Sequence, residues 1–358
     1  MKRIIAISGL FLMTLGIFSS CTNAGWSFPN FPYTTTYFPN QFPLRTLIFG
    51  DYIYDNSGDN KMQFVVSATT GGVYKQTKNI TVGFSVDNTL ADNLWTTSTP
   101  TTTKMAALPA NWYTLSNTSQ IIIPAGRYDG GVTVQLTTDF FADTNAIVAH
   151  WVLPLRMTST TADSILSGKS GQTNPDPRIS SSWAVMPKNY TIFGIRYVNE
   201  WHGRYILRGR DVVTKASDGS AIETINYHTQ FLEGNTIVPM TTFRRNAVKY
   251  SNAIKRGSGS PGNFEMRLDF GASDITQATL STTTRYPKYP VAGTAKMVLA
   301  KDIPSVDPQE SWGNIPRNTI YLAYTIIEGT AIHTVNDTLV FRDKNVAYAD
   351  FVPKVILP

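Results

Sequence analysis

Val132-Thr133-Val134-Gln135-Leu136 places an apolar side chain at every second position, the pattern of a strand with one buried and one solvated face. Working outward, short segments rich in β-branched and aromatic residues, bounded by Gly, Pro, Asn and Asp, recur at 45–49, 63–67, 80–85, 121–124, 131–137 and 147–156. Six or seven such strands in about 115 residues, with turn signals between them, predict an immunoglobulin-like β-sandwich over residues 44–158. A short helical turn is expected at 91–95.

Residues 159–182 are poor in large apolar side chains and rich in Ser, Thr, Gly, Asn and Pro, and read as an interdomain linker. The remainder, 183–358, is again strand-rich. Strands are predicted at 190–201, 204–211, 221–233, 236–243, 264–270, 294–299, 319–328 and 332–341, with Gly234-Asn235 as a hairpin signal. About eight strands in sequential hairpins match a lipocalin-like up-and-down β-barrel. No stretch carries long helical periodicity, so the fold class is all-β.

Lys2 and Arg3 precede an apolar run over 4–18, which is followed by Ser19, Ser20 and the only cysteine, Cys21. Small residues before a cysteine at the end of a short apolar run resemble the lipobox of bacterial lipoproteins. The resemblance implies a signal peptide over 1–20 and a mature N-terminus acylated at Cys21. The run is shorter than the roughly 20 residues a transmembrane helix needs. Residues 21–43, which include WSFPNFPYTTTYFPNQFP from Trp26, are expected to form a Pro/aromatic-rich tether, because repeated Pro blocks helix and central strand. A single cysteine cannot form a disulfide within the chain, so the cores rest on packing.

The formal net charge of +6 falls to +4 once Lys2 and Arg3 are removed, 29 basic against 25 acidic residues. The densest basic group, Arg244, Arg245, Lys249, Lys255 and Arg256, lacks a surrounding motif and reads as a solvated strand face, not a nucleic-acid site. The four histidines show no metal-ligand spacing, and His202 reads as a hydrogen-bonded strand residue. Neither GxSxG nor a P-loop occurs, and the glycine-rich 257–262 lacks the helix that phosphate cradling requires. The carboxylates Asp211, Glu223, Glu233 and Glu310 offer pairs of the kind glycosidases use, without a motif that fixes their separation. No catalytic residue, metal or cofactor is predicted. Carbohydrate binding asks less: an aromatic face for the C–H side of a sugar ring and polar groups for its hydroxyls. Aromatics in the polar loops Arg285-Tyr-Pro-Lys-Tyr-Pro290 and Glu310-Ser-Trp-Gly-Asn314 meet that requirement, which makes Tyr286, Tyr289 and Trp312 the candidates. Trp201 is expected in the barrel core with Arg342 stacked on it.

Arg45-Thr-Leu-Ile-Phe-Gly-Asp51, Thr81-Val-Gly-Phe-Ser-Val-Asp-Asn-Thr-Leu90, Trp151-Val-Leu-Pro-Leu-Arg156, Asn199-Glu-Trp-His-Gly-Arg-Tyr205 and Asp337-Thr-Leu-Val-Phe-Arg-Asp343 together resemble one family. These are Bacteroidetes lipoproteins with an N-terminal immunoglobulin-like domain of unknown function and a C-terminal lipocalin-like domain, usually encoded beside polysaccharide-utilisation genes. The resemblance implies a non-catalytic, lipid-anchored accessory protein at the outer membrane. Its partners would be a glycan, the membrane and an outer-membrane transporter complex, and nucleic acid is not among them. The acidic residues that often follow the acylated cysteine in surface-displayed members are replaced by Thr22, Asn23, Ala24 and Gly25, so either face of the membrane is expected. The alternatives are a fimbrillin-like structural or adhesive subunit, with Phe351 to Leu357 as a strand to donate, and a glycoside hydrolase.

Overall fold

A computed structural model describes residues 30–98, 101–257, 259–271, 273–303, 311–312, 315–347 and 351–356. The protein is all-β, and its two domains differ in how they bury their strands. The first is a sandwich. One sheet runs Ser164–Ile165, Thr35–Tyr37, Gln63–Gly71, Asp129–Leu136 and Tyr113–Leu115; the other runs Leu44–Ile48, Tyr190–Val198, Trp151–Thr160, Ile80–Val86 and Gln120–Ile123. The alternation read from 132–136 is realised: Val132, Val134 and Leu136 are buried against Phe64, Leu47, Phe84 and Tyr197.

Strand pairing moves three of the expected boundaries. Thr35–Tyr37, placed in the tether, pairs antiparallel with 69–71, and Phe38 is buried behind it. The segment 159–182 is not an interdomain linker, because the strand after it, Tyr190–Val198, lies inside the sandwich. That strand pairs antiparallel with Trp151–Thr160 and parallel with Leu44–Ile48. Its apolar side chains suit either domain, and the partner chosen is a strand 150 residues earlier, which local pattern does not reveal. The barrel therefore begins at Gly203, not at 183.

The second domain closes Gly203–Lys215, Thr236–Arg244, Ala247–Ala253, Asn263–Phe270, Gln277–Thr282, Val291–Val298, Thr319–Glu328 and Ala331–Asp343 into an eight-stranded antiparallel barrel, the last strand pairing with the first along 204–215. Ala221–Tyr227 also pairs with the first strand, at 209–214, while Thr236–Arg244 pairs with it at 203–207. The two are collinear, so Gly234-Asn235 is not a hairpin turn. Asn235 is buried instead, donating through Nδ2 to Phe231 O and Leu232 O and accepting from Thr229 N; it clamps the short break between the two segments.

The bore is packed. Trp201, Tyr205, Met240, Phe264, Met266, Phe270 and Leu339 fill it. Trp201 is in the core as expected, but it stacks on Phe270 at 4.0 Å and 6°, while Arg342 lies beside Asp343. The domains are joined by the buried Lys344, whose Nζ donates to Phe49 O at 2.9 Å, Glu200 O at 2.7 Å and Asn199 O at 3.4 Å. Arg245 sits over the Phe49 ring at 4.1 Å and pairs with Glu200. After the barrel the chain returns to the sandwich. Phe351 is buried there, and Pro353–Val355 pairs antiparallel with 94–96.

Candidate functional site

A cleft of about 460 Å³ opens where the domains meet, a common place for ligand sites. Its sandwich wall is the loop after Leu44–Ile48, which presents Asp51, Tyr52 and Ile53. The loop is held from below. Asn56 Nδ2 donates to Ile48 O and Gly50 O, both at 2.7 Å, and Gly50 N donates to Asn60 Oδ1. Gly50 has φ +75°, and a Cβ there would meet Glu200 Cβ at 2.7 Å; only glycine permits both the left-handed backbone and the close approach. With its base fixed, the loop pushes Ile53 and Tyr54 into solvent, 83% and 68% exposed, and Tyr54 packs edge-on against Tyr52.

The barrel wall comes from three strand ends: Arg204 at the start of the first strand, Arg317 just before Thr319–Glu328, and Phe341, Arg342 and Asp343 at the end of the last. Adjacent strands bring Arg204 and Asp343 face to face in a bidentate pair, Nε to Oδ1 at 2.9 Å and Nη2 to Oδ2 at 2.7 Å. Arg342 Nε reaches the same carboxylate at 3.6 Å. Arg317 Nε is buried with no hydrogen-bond partner among the described residues. Burial lowers the Lys344 ammonium to about 8, against the attraction of Glu200 and Asp51. An aromatic rim, an apolar floor at Phe341 and fixed guanidinium donors are what a polar ring with one apolar face requires.

The barrel also holds a buried polar cluster. Asp337 is buried and accepts from Tyr227, from Tyr324 at 2.7 Å and from Tyr250 at 3.5 Å. Burial pushes its carboxyl up to about 6, against the hydrogen bonds from the tyrosines. Gly209 stands opposite on the neighbouring strand, and a Cβ there would collide with the Asp337 carboxylate. One turn of the pleat away, His333 lies between Asp211 at 2.6 Å and Glu328 at 3.1 Å. Burial draws its basicity down, but the two carboxylates outweigh that and raise it. Arg256 bridges Glu328 at 2.8 Å and Glu223 at 2.6 Å.

Of the aromatics singled out from sequence, Tyr286 and Tyr289 do not line the cleft. Tyr289 is 5% exposed and its hydroxyl donates to Pro261 O, so it offers no free face; it lies in a polar loop, but the loop folds over the barrel end. Tyr286 is half-buried with the Arg285 guanidinium 5.3 Å from its ring centre. Trp312 is described in its backbone alone, paired with Ile315. Cys21 and the signal-like segment lie outside the described residues. His202 is satisfied within the fold, its Nδ1 accepting from Thr242 N, and burial lowers it to about 4. Asp211 and Glu223 are each held by a base, and Glu310 lies outside the described residues. The basic cluster is dispersed: Arg244 and Lys249 flank the Phe243 ring, while Arg245 and Arg256 pair with carboxylates. The overlooked residues, Tyr52 and Tyr54, sit in Asp51-Tyr-Ile-Tyr-Asp-Asn56. Aromatics in a polar turn are the same signal that selected Tyr286.

The architecture defines a two-domain all-β protein, a sandwich followed by an up-and-down barrel. A family model described as Domain of unknown function (DUF5627) matches residues 200–345, and one described as a “-like, N-terminal domain” matches 31–164. A Bacteroides ovatus protein of unknown function from structural genomics is 34% identical, with a TM-score of 0.81 over 91% of this chain and 100% of that one. The chain belongs to the same family as that protein. Two further Bacteroides ovatus structures, one of unknown function and one described as a multidomain protein including DUF1735, are 11% and 12% identical, cover 89% and 88% of this chain and 98% and 97% of theirs, and both have a TM-score of 0.38. No curated protein matches the chain.

Proposed function

We propose that this is a lipid-anchored, non-catalytic glycan-binding accessory protein of a polysaccharide-utilisation system, and that the junction cleft takes the glycan. The observation that carries the reading is the pairing, in one cleft, of the Tyr52–Tyr54 loop with Phe341 and three arginines. Aromatic surface packs on the C–H face of a sugar, and guanidinium groups hydrogen-bond its oxygens.

The test is affinity electrophoresis and a glycan array with the chain from Thr22 onward, which retains every described residue. Retention by at least one envelope or dietary polysaccharide, lost in a Tyr52→Ala/Tyr54→Ala variant that still folds, is the expected result. Absence of retention by any glycan overturns the reading. Lipidation at Cys21 is checked separately: metabolic fatty-acid labelling should mark the full chain and vanish in Cys21→Ser. The fimbrillin-like alternative needs a strand free for exchange. Pro353–Val355 is already paired with 94–96 of its own chain, which favours the binding reading.

A further inference from the structure

Exposed aromatic side chains are unevenly placed on the molecule. Among the described residues six Phe, Tyr or Trp side chains are exposed, and four of them, Phe31, Tyr33, Tyr74 and Tyr128, stand together at one end of the sandwich. Hydrogen bonds hold the three segments that carry them. Phe31 N donates to Gly72 O at 2.8 Å, Tyr74 N to Asn30 Oδ1 at 2.8 Å, and the Tyr128 hydroxyl to Tyr74 O. The Phe31 and Tyr33 rings lie 6.4 Å apart, and a recess of about 200 Å³ opens between Phe31 and Tyr74. Lys75 and Lys78 follow in the same loop and are exposed, while Arg127 pairs with Asp129 and Asp163 accepts from Thr34 N and Oγ1. This end is the one remote from the barrel. Strand Gln63–Gly71 starts beside Asp59, which accepts from Ile48 N on the junction side, and finishes at the aromatic end, about 26 Å away at about 3.3 Å per residue.

Grouped exposed rings mark a surface that meets a partner, and the path of the chain says which partner. Residues 22–29 alone separate Cys21 from Asn30, so the thiol lies within about 30 Å of Asn30 even at full extension. An acyl chain at Cys21 therefore brings a bilayer to this end first. Turning the barrel toward the same bilayer would stretch those residues along the whole sandwich, at a cost in chain freedom. Tyrosine, with an apolar ring and a polar tip, suits the headgroup level of a membrane, and lysine stems can lie along such a surface with their ammonium groups in water. We infer that the end formed by Phe31, Tyr33, Tyr74 and Tyr128 is a membrane-contact surface, which rests in the headgroup region and holds the barrel and the junction cleft away from the bilayer. The inference rests on the lipid-anchored reading above and adds the orientation of the protein on its membrane.

The experiment uses the chain from Cys21 onward with its one thiol coupled to a single hexadecyl maleimide, so it does not depend on acylation in the cell. One alkyl chain binds a bilayer only marginally, which leaves the contribution of the surface visible. Partition onto vesicles of phosphatidylethanolamine and phosphatidylglycerol is measured by sedimentation. Phe31→Ser/Tyr74→Ser should weaken it about tenfold, the scale set by the apolar area of two partly inserted rings. Phe231→Ser, which removes an equally exposed ring from the barrel domain, should leave it unchanged. Hydrogen exchange on the vesicle-bound parent should slow at 31–33, 73–75 and 126–128 relative to the free protein, and not at 229–232. Unfolding midpoints and glycan retention of Phe31→Ser/Tyr74→Ser should match the parent's. Equal partitioning of the parent and this variant, or exchange at the aromatic end that is the same on and off vesicles, overturns the inference. So does loss of glycan retention in the variant, which would make this face a sugar platform. Loss of fatty-acid labelling is a separate result: it overturns the anchor reading, whereas the coupled chain tests the surface itself.

Discussion

Replacing Asp337 by Asn should make the barrel's stability depend on pH in a new way, and the size of the effect follows from the site. The carboxyl is buried among three tyrosines, and burial pushes it from an ordinary 3.8 to about 6. A carboxyl displaced upward takes its proton first in the folded state. Folding is therefore favoured as pH falls from about 6 toward 3.8, and carries the full cost of the buried charge above about 6. At 1.36 kcal/mol per pH unit, that displacement corresponds to about 3 kcal/mol. Asn cannot ionise, so the variant lacks this cost at every pH. The stability difference, Asp337→Asn minus parent, should thus be about 3 kcal/mol more favourable to the variant at about pH 7 than at about pH 3. Changes in hydrogen bonding to Tyr227 and Tyr324 add an offset that does not vary with pH and cancels in the comparison. Guanidinium unfolding followed by tryptophan fluorescence is a suitable assay, because Trp201 is stacked on Phe270 in the same barrel. The other carboxylates titrate equally in both proteins and drop out. A difference that stays flat across this range would refute the reasoning, and Asp337 would then be ionised or neutral in both states alike.

Three further perturbations address the packing that shapes the two domains. Gly209→Ala drives a Cβ into the Asp337 carboxylate, 2.7 Å from Tyr227 Cε2 and 2.8 Å from Asn336 O, and should cost about 3 kcal/mol in chemical unfolding as an overpacked core. Lys344→Met keeps the buried stem but removes the donor to Phe49 O, Asn199 O and Glu200 O. It should cost about 3 kcal/mol and raise hydrogen exchange at 49–51 and 199–200 together, whereas exchange confined to one side would contradict the bridge. Phe351→Ala empties the site over Gly194, where a Cβ would meet the ring at 2.7 Å. A loss of about 3 kcal/mol, with earlier proteolysis after the barrel, is expected in thermal and protease assays.

The fold was legible where pattern is local. Alternation at 132–136 and the apolar runs at 319–328 and 332–341 became strands because period-two burial needs no distant information. Two barrel strands, Ala247–Ala253 and Gln277–Thr282, passed unnoticed. The first sits in a basic stretch whose Lys249 points outward to Glu265, and the second is mostly Thr, Ser, Gln and Ala. The domain boundary was misplaced because Tyr190–Val198 takes its partner from Leu44–Ile48, a non-local parallel pairing. Exposure separated the candidate aromatics. Tyr289 and Tyr54 occupy similar polar loops, yet one is covered by 261–262 and the other stands free. The cleft itself joins positions 51–53, 204, 317 and 341–347, a grouping that exists only after the barrel has closed and Lys344 has docked it on the sandwich.

The most direct measurement is a crystal of the chain from Thr22 onward grown with the best-retained oligosaccharide from the array. Sugar should lie at the domain junction, with a ring against Tyr52 or Phe341. Sugar bound on the sandwich or at the far end of the barrel, with the junction empty, would contradict it.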